Sequence, residues 1–394
     1  MLSEKMRKLQ GEVVCIRDIF EEGKKMAAVY GAENIFNFTI GNPSVDPPRE
    51  VIDAFVKYAA MKPYQLVHGY PSNVGYPEVR QKIADYLNET YGTNYDFTGI
   101  FMTVGAGTGI TSICNMILDP DDEVITFSPF FWEYKSYVGN FRGNLVTARC
   151  NMQTLQPDPA TFEAAFSPRT KLVLMCSPNN PTGAVYTDES LRAIASIMEK
   201  KEKEYGHPIY LVSDEPYRLL SYDKPVPYTA KYYKNTLTVY SYSKTLSIPG
   251  DRIGYVAALP TVDDYDDIKL GMNGSIRWIG LVNAPSLQQM ILLDCCDKCV
   301  DTSIYKKTRD ILYNGLTSMG YNVIHPDGAF YMFMQALEDD DIAFCEKAKE
   351  EKLLFAPGTA FEGPGWVRIA YPVPPEMAER SLPAFERLYK KYRG

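Results

Sequence analysis

The sequence predicts an α/β protein built on a mainly parallel sheet with helices on both faces. Three observations lead there. From about residue 49 onward, short apolar runs of strand length alternate with longer segments of helical period, the pattern that strand–helix–strand units leave in a chain. The composition, 45% hydrophobic and 23% charged over 394 residues, is that of an ordinary globular protein long enough for two or three domains. The longest unbroken apolar run, 329–334, has six residues, far short of the roughly 20 a membrane span needs.

In chain order, Ile16, Ile19, Phe20 and Met26 can share a helix face, which predicts a helix over 16–30. Gly41-Asn42-Pro43 through Pro47-Pro48 reads as a loop. Helices are expected over 49–61, 77–91 and 188–204, and strands over 100–104, 123–127, 144–149, 171–176, 209–213 and 236–241. A long helical stretch is expected after Pro285. The last hundred residues predict a second, smaller set: strands near 321–324, 329–335 and 367–370, with helices over 341–351 and 374–392.

The net charge of −8 is spread without blocks of like charge, which argues against nucleic acid or an anionic membrane as a partner. The N-terminus shows no apolar stretch of secretory type, so the cytoplasm is the expected compartment. The eight cysteines are scattered. Cys295, Cys296 and Cys299 have no second Cys or His pair to complete a metal site, and they read as a half-buried helix; no metal is expected. With only His68, His207 and His325, far apart, proton transfer must rest on other side chains.

Ligands of open parallel sheets bind beyond the carboxyl ends of the strands, and polar residues stand there. Gly105-Ala106-Gly107-Thr108-Gly109 follows the strand near 100 and leads into a helix, as a phosphate cradle or as a plain packing turn. The strand 171–176 is followed by Ser177-Pro178-Asn179-Asn180-Pro181-Thr182-Gly183. The next ends in Ser213-Asp214-Glu215-Pro216-Tyr217, and the next in Ser241-Tyr242-Ser243-Lys244, with Arg252 eight residues on. Singly these are an Asx turn, a helix cap and a surface lysine. Together they form one constellation.

Asn-Pro-Thr-Gly, Asp-x-x-Tyr and Ser-x-Ser-Lys with a downstream Gly-x-Arg-x-Gly, in that order, resemble the fold-type I pyridoxal-phosphate enzymes, most closely the class I and II, aspartate aminotransferase-like, aminotransferases. The resemblance runs from about Gly41 to Arg368. It implies a large domain, 46–295, with a mainly parallel seven-stranded sheet between helices, and a smaller α+β domain made of 1–45 and 296–394.

The resemblance also implies roles. Lys244 would form the Schiff base with pyridoxal 5'-phosphate and act as the base at the substrate Cα. Asp214 would pair with the pyridine nitrogen, while Asn180 and Tyr217 would bond the ring's phenolic oxygen. Phe131, with Trp132 as the near alternative, would stack on the ring. Ser241, Arg252 and the amides of Ala106 and Gly107 would hold the phosphate, with Gly105 and Ser243 also among the cofactor-binding residues. Tyr70, in Tyr70-x-x-x-x-Gly75-x-x-x-x-Arg80, would reach the phosphate of a neighbouring subunit, which implies a homodimer with shared active sites. Arg368 would grip the α-carboxylate, with Gly41, Asn42 and Asn180 beside it. The implied reaction is transfer of an amino group from an L-amino acid to a 2-oxo acid. A carbon–sulfur β-lyase on the same scaffold is the alternative. Arg277 is the only cation in Gly274-Ser275-Ile276-Arg277-Trp278; it is either a surface arginine beside a packed Trp278 or a group that reaches the neighbouring active site to pair a side-chain carboxylate.

Overall fold

The computed structural model describes residues 16–394 together with Leu2, Glu4, Met6 and Arg7. Cys15 and the side chains of Ile16 and Phe20 lie outside the described set. The helix Ile16–Tyr30 has the expected bounds. Strand β1, Phe36–Asn37, follows it.

Seven strands then make the main sheet: β2 (Ile100–Thr103), β3 (Glu123–Ser128), β4 (Asn144–Arg149), β5 (Thr170–Cys176), β6 (Tyr210–Asp214), β7 (Thr236–Ser241) and β8 (Gly254–Ala258). Their order is β2-β8-β7-β6-β5-β3-β4, and β8 alone runs antiparallel to its neighbours. Both faces are covered. On β5, Leu172 and Leu174 join one core, while Val173 and Met175 join the core on the opposite face; alternate side chains of a strand point to opposite faces. The helix Asp188–Tyr205 supplies Leu191, Ile194, Ala195 and Met198 to that second core. Its N-terminus is closed by Thr187, whose side-chain oxygen accepts from the Ser190 N–H, and it stops at Gly206 in the left-handed region.

The remaining strands are β9 (Val323–Ile324), β10 (Tyr331–Gln335), β11 (Leu353–Leu354), β12 (Ala356–Pro357) and β13 (Trp366–Ala370). Four form an antiparallel sheet in the order β12-β13-β10-β9, and β11 pairs in parallel with β1. A separate core gathers here: Phe38, Leu312, Phe330, Ile369 and Phe385 are all buried in it.

One expectation needs correction. β8 was not among the predicted strands; three of its five residues are Gly254, Ala257 and Ala258, which give little strand-like alternation. The long helical stretch after Pro285 is made of three helices, Ser286–Met290, Leu292–Cys295 and Ser303–Met319. The break before the last is bonded in place: the Val300 N–H donates to the Thr245 carbonyl, beside Lys244, and Asp301 accepts from the Ser303 N–H. Cys295 and Cys296 are buried and Cys299 half-buried, all as free thiols. No helix among the described residues is long and apolar enough to cross a membrane.

Candidate active site

The ends of β2, β5, β6 and β7 converge on a cavity of ≈ 180 Å³. Of the residues predicted for the site, Ala106, Gly107, Phe131, Asn180, Asp214, Tyr217, Ser241, Ser243, Lys244 and Arg252 line it.

Lys244 sits on the short helix Tyr242–Thr245, which starts where the Ser241 hydroxyl accepts from the Ser243 N–H. Its Nζ donates to the Gly41 carbonyl at 2.7 Å. Burial, reinforced by the cations Arg252 and Arg368, lowers its pKa to about 8. Asp214 ends β6. Its Oδ2 accepts from the Tyr134 hydroxyl at 2.7 Å, whereas its Oδ1 is buried and has no partner. Burial pushes this carboxyl up to about 7; the Tyr134 bond opposes that shift and the Glu215 charge adds to it.

The cradle is made by β2 and the helix Ala106–Ile117. Gly105 at the turn has φ 79°, and a Cβ there would stand 2.7 Å from Nη2 of Arg252, so only glycine lets the backbone and the guanidinium share this corner. Arg252 donates to the Ser243 hydroxyl at 3.3 Å and to the Pro249 carbonyl at 3.1 Å. Ser241 donates to Ser243 at 2.9 Å. Two hydroxyls, a guanidinium and a helix N-terminus therefore face one corner of the cavity, a setting that suits a phosphate.

On the other side Arg368, fixed on β13, is buried. Its Nη1 donates to Asn180 Oδ1 at 3.0 Å, its Nη2 to the Thr39 carbonyl, and its Nε is without a partner. The guanidinium lies 4.9 Å over the Tyr331 ring and 4.6 Å over the Phe361 ring. Gly41 adjoins the site through Lys244. Asn42 does not enter it: its side chain is exposed and its amide donates to Pro43. Tyr70 stands 91% exposed, outside the lining of its own chain's cavity. Arg277 is exposed in the last turn of the helix Tyr265–Trp278, and Trp278, expected to be packed, is itself 80% exposed.

Sequence reasoning missed three tyrosines. Tyr134 holds Asp214, Tyr137 lines the cavity beside Gly107, and Tyr331 bonds Tyr217. Tyr331 was legible only as part of a strand. The register of β10 on β13, Phe333 opposite Arg368, puts Tyr331 on the same face as the arginine, but that register cannot be read from a single strand.

The geometry can be set beside known proteins. A family model described as aminotransferase class I and II matches residues 33–385. A crystal structure of an aminotransferase from Eubacterium rectale aligns over 100% of both chains with a TM-score of 0.97 and 44% identity. The aspartate/prephenate aminotransferase of Thermus thermophilus is 30% identical over 372 residues, 89% of this chain and 90% of that protein. A structure of Thermus thermophilus aspartate aminotransferase with maleate aligns at a TM-score of 0.86 and 28% identity, covering 98% of this chain and 99% of that one.

Proposed function

Because the chain belongs to the class I and II aminotransferases and is a transaminase of their fold, we propose that it works with pyridoxal 5'-phosphate held at Lys244 and moves an amino group from an L-amino acid to a 2-oxo acid. The observation that carries this reading is Asp214 Oδ1. It is a buried carboxylate atom without a protein partner, in the lining of the same cavity as Lys244 and Arg252. Such an atom is costly unless a ligand meets it, and a protonated ring nitrogen is the ligand that suits it.

The residues present fit the cofactor. Ser241, Ser243, Arg252 and the amides after Gly105 would hold the phosphate. Asp214 would take the ring nitrogen. Asn180 and Tyr217 would bond the phenolic oxygen, and Phe131 would cover a ring face. When bound, the cofactor supplies an electron sink for the substrate carbon that loses its proton. Nζ of Lys244, with its pKa lowered to about 8, has a useful unprotonated fraction near neutrality and would take that proton from Cα and deliver it to the cofactor's C4′ carbon, the shift that amino transfer needs. Arg368 would hold the substrate α-carboxylate through its paired N–H groups. Lys244 belongs to the part 46–295 and Arg368 to the part made of 1–45 and 296–394, so a substrate would bridge them and exclude water; the two parts meet at the site, where Cys176, Tyr217 and Leu220 of the first pack into the core of the second. The near-complete exposure of Tyr70 supports a homodimer in which it serves the neighbouring site. The relatives reported above are named as aminotransferases, and the carbon–sulfur β-lyase reading is not favoured.

Borohydride reduction and peptide mapping should place the cofactor label on Lys244. A panel of amino donors should then turn over only when a 2-oxo acid such as 2-oxoglutarate or oxaloacetate is supplied. A label on another lysine refutes the cofactor assignment, and pyruvate and ammonia from a thioether amino acid without acceptor refute the transfer reaction.

A further inference from the structure

One residue without an assigned role touches three parts of this site. Tyr331, 3% exposed, lies 3.0 Å from the Tyr217 hydroxyl through its own. The two rings meet edge to face, 5.6 Å between centroids at 87°. The Arg368 guanidinium rests on its ring at 4.9 Å. The segment that carries Gly41 abuts it so closely that a Cβ on Gly41 would be 2.1 Å from the Tyr331 oxygen, and the carbonyl of that same glycine accepts from Lys244.

We propose that Tyr331 is a positioning residue: it donates its hydroxyl proton to Tyr217 and so aims the Tyr217 O–H into the cofactor cavity. The proposal rests on the functional reading above, in which Tyr217 donates to the cofactor's phenolic oxygen. Each hydroxyl has one proton to give. If Tyr217 gave its proton to Tyr331, it would have none for an oxyanion in the cavity. The surroundings favour the other direction. Tyr331 faces the cation Arg368, with Tyr217, Cys176 and Glu133 as its other titratable neighbours, and Arg368 opposes the upward push of burial on its pKa. Arg368 acts on both hydroxyls, but it lies on the Tyr331 ring and bears more strongly on Tyr331; Tyr217, beside Tyr331, Cys176 and Asp214 and with Lys244 in the same cavity lining, has its pKa driven well up. Tyr331 is therefore the more acidic hydroxyl and the better donor. The outcome is a donor fixed in direction before charge develops on the ring oxygen, with no reorientation needed when it does. Because Arg368 sits on the same ring, the carboxylate clamp and the ring-oxygen donor share one support.

Tyr331→Phe keeps the ring and its contact with Arg368 and removes only the hydroxyl. The measurement is the pH midpoint of the bound cofactor's absorbance change in the parent, Tyr331→Phe, Tyr217→Phe and the double variant. A hydrogen bond to the ionised ring oxygen favours its ionised form, so loss of alignment should raise the midpoint in Tyr331→Phe by about half to one pH unit. Tyr217→Phe should raise it further, and the double variant should match Tyr217→Phe, because Tyr331 acts only through Tyr217. A midpoint that moves in Tyr217→Phe but not in Tyr331→Phe overturns the proposal and leaves the functional reading intact, as does an additive double variant. A parent with no cofactor absorbance, or a midpoint indifferent to Tyr217→Phe, overturns the functional reading and the proposal with it.

Discussion

Asp214 and Glu215 are adjacent buried carboxylates with opposite arrangements. Glu215 is paired at 2.7 Å with the fully buried Arg218, which also donates to the Tyr255 hydroxyl at 2.8 Å and lies 4.5 Å over the Tyr240 ring. Asp214 has one bond and one bare oxygen. The first arrangement anchors the end of β6, and the second leaves it ready for a ligand at a cost in stability. That cost depends on pH. Unfolded, the carboxyl titrates near 3.8; folded, it titrates at about 7. Between those values the folded chain holds a proton that the unfolded chain has lost, so stability falls as pH rises, and the full loss is present above about pH 7. At 1.36 kcal/mol per unit this is on the order of 4 kcal/mol. Stripped of cofactor, Asp214→Asn should therefore unfold at a higher denaturant midpoint than the parent at pH 8, and the gap should close as pH falls toward 4. The same variant should lose most transaminase activity, the trade expected when a strained group serves function. Equal midpoints at pH 8 would show that Asp214 is solvated or paired in solution.

At the scale of elements, the cradle depends on β2 and β8 lying side by side, so that Arg252, just before β8, meets the turn after β2. Gly105→Ala would place a methyl group against the guanidinium at a backbone φ of 79°, where an L side chain is strained. The expected result is a cofactor dissociation constant raised about tenfold or more, equivalent to 1.4 kcal/mol, as measured by equilibrium dialysis. Unchanged retention would mean the turn holds no phosphate. Much of this site was legible in the sequence: Asn180, Asp214, Tyr217, Ser241 and Lys244 stand at or just after the ends of strands that parallel-sheet topology brings together, and Arg252 follows them in the motif order. β8 was not legible, because Gly254 and two alanines occupy positions where a strand announces itself by branched side chains. Tyr134 and Tyr331 were not legible either. Each acts through a hydroxyl whose partner is distant in sequence, Asp214 in one case and Tyr217 in the other, and only the folded register makes such pairs.

For the whole molecule, the informative surface is the one that a single chain leaves uncovered. Tyr70, Trp278 and Leu270 are 91%, 80% and 73% exposed, and large apolar groups so exposed fit a partner subunit better than water. Arg277 precedes Trp278 and is exposed with it. If the chain forms a two-fold dimer that brings this segment to the other chain's cleft, a second cation there would pair the side-chain carboxylate of an acidic donor; an unpaired carboxylate in a closed site is costly. The enzyme should sediment as a dimer. Arg277→Ala should cut kcat/KM for glutamate or aspartate about tenfold or more, at 1.36 kcal/mol per decade, while alanine and phenylalanine change little. An equal effect on acidic and neutral donors would remove Arg277 from substrate recognition, and donor preference would then fall to the aromatic groups at the cavity, Phe131 in its lining and Phe330 under Lys244.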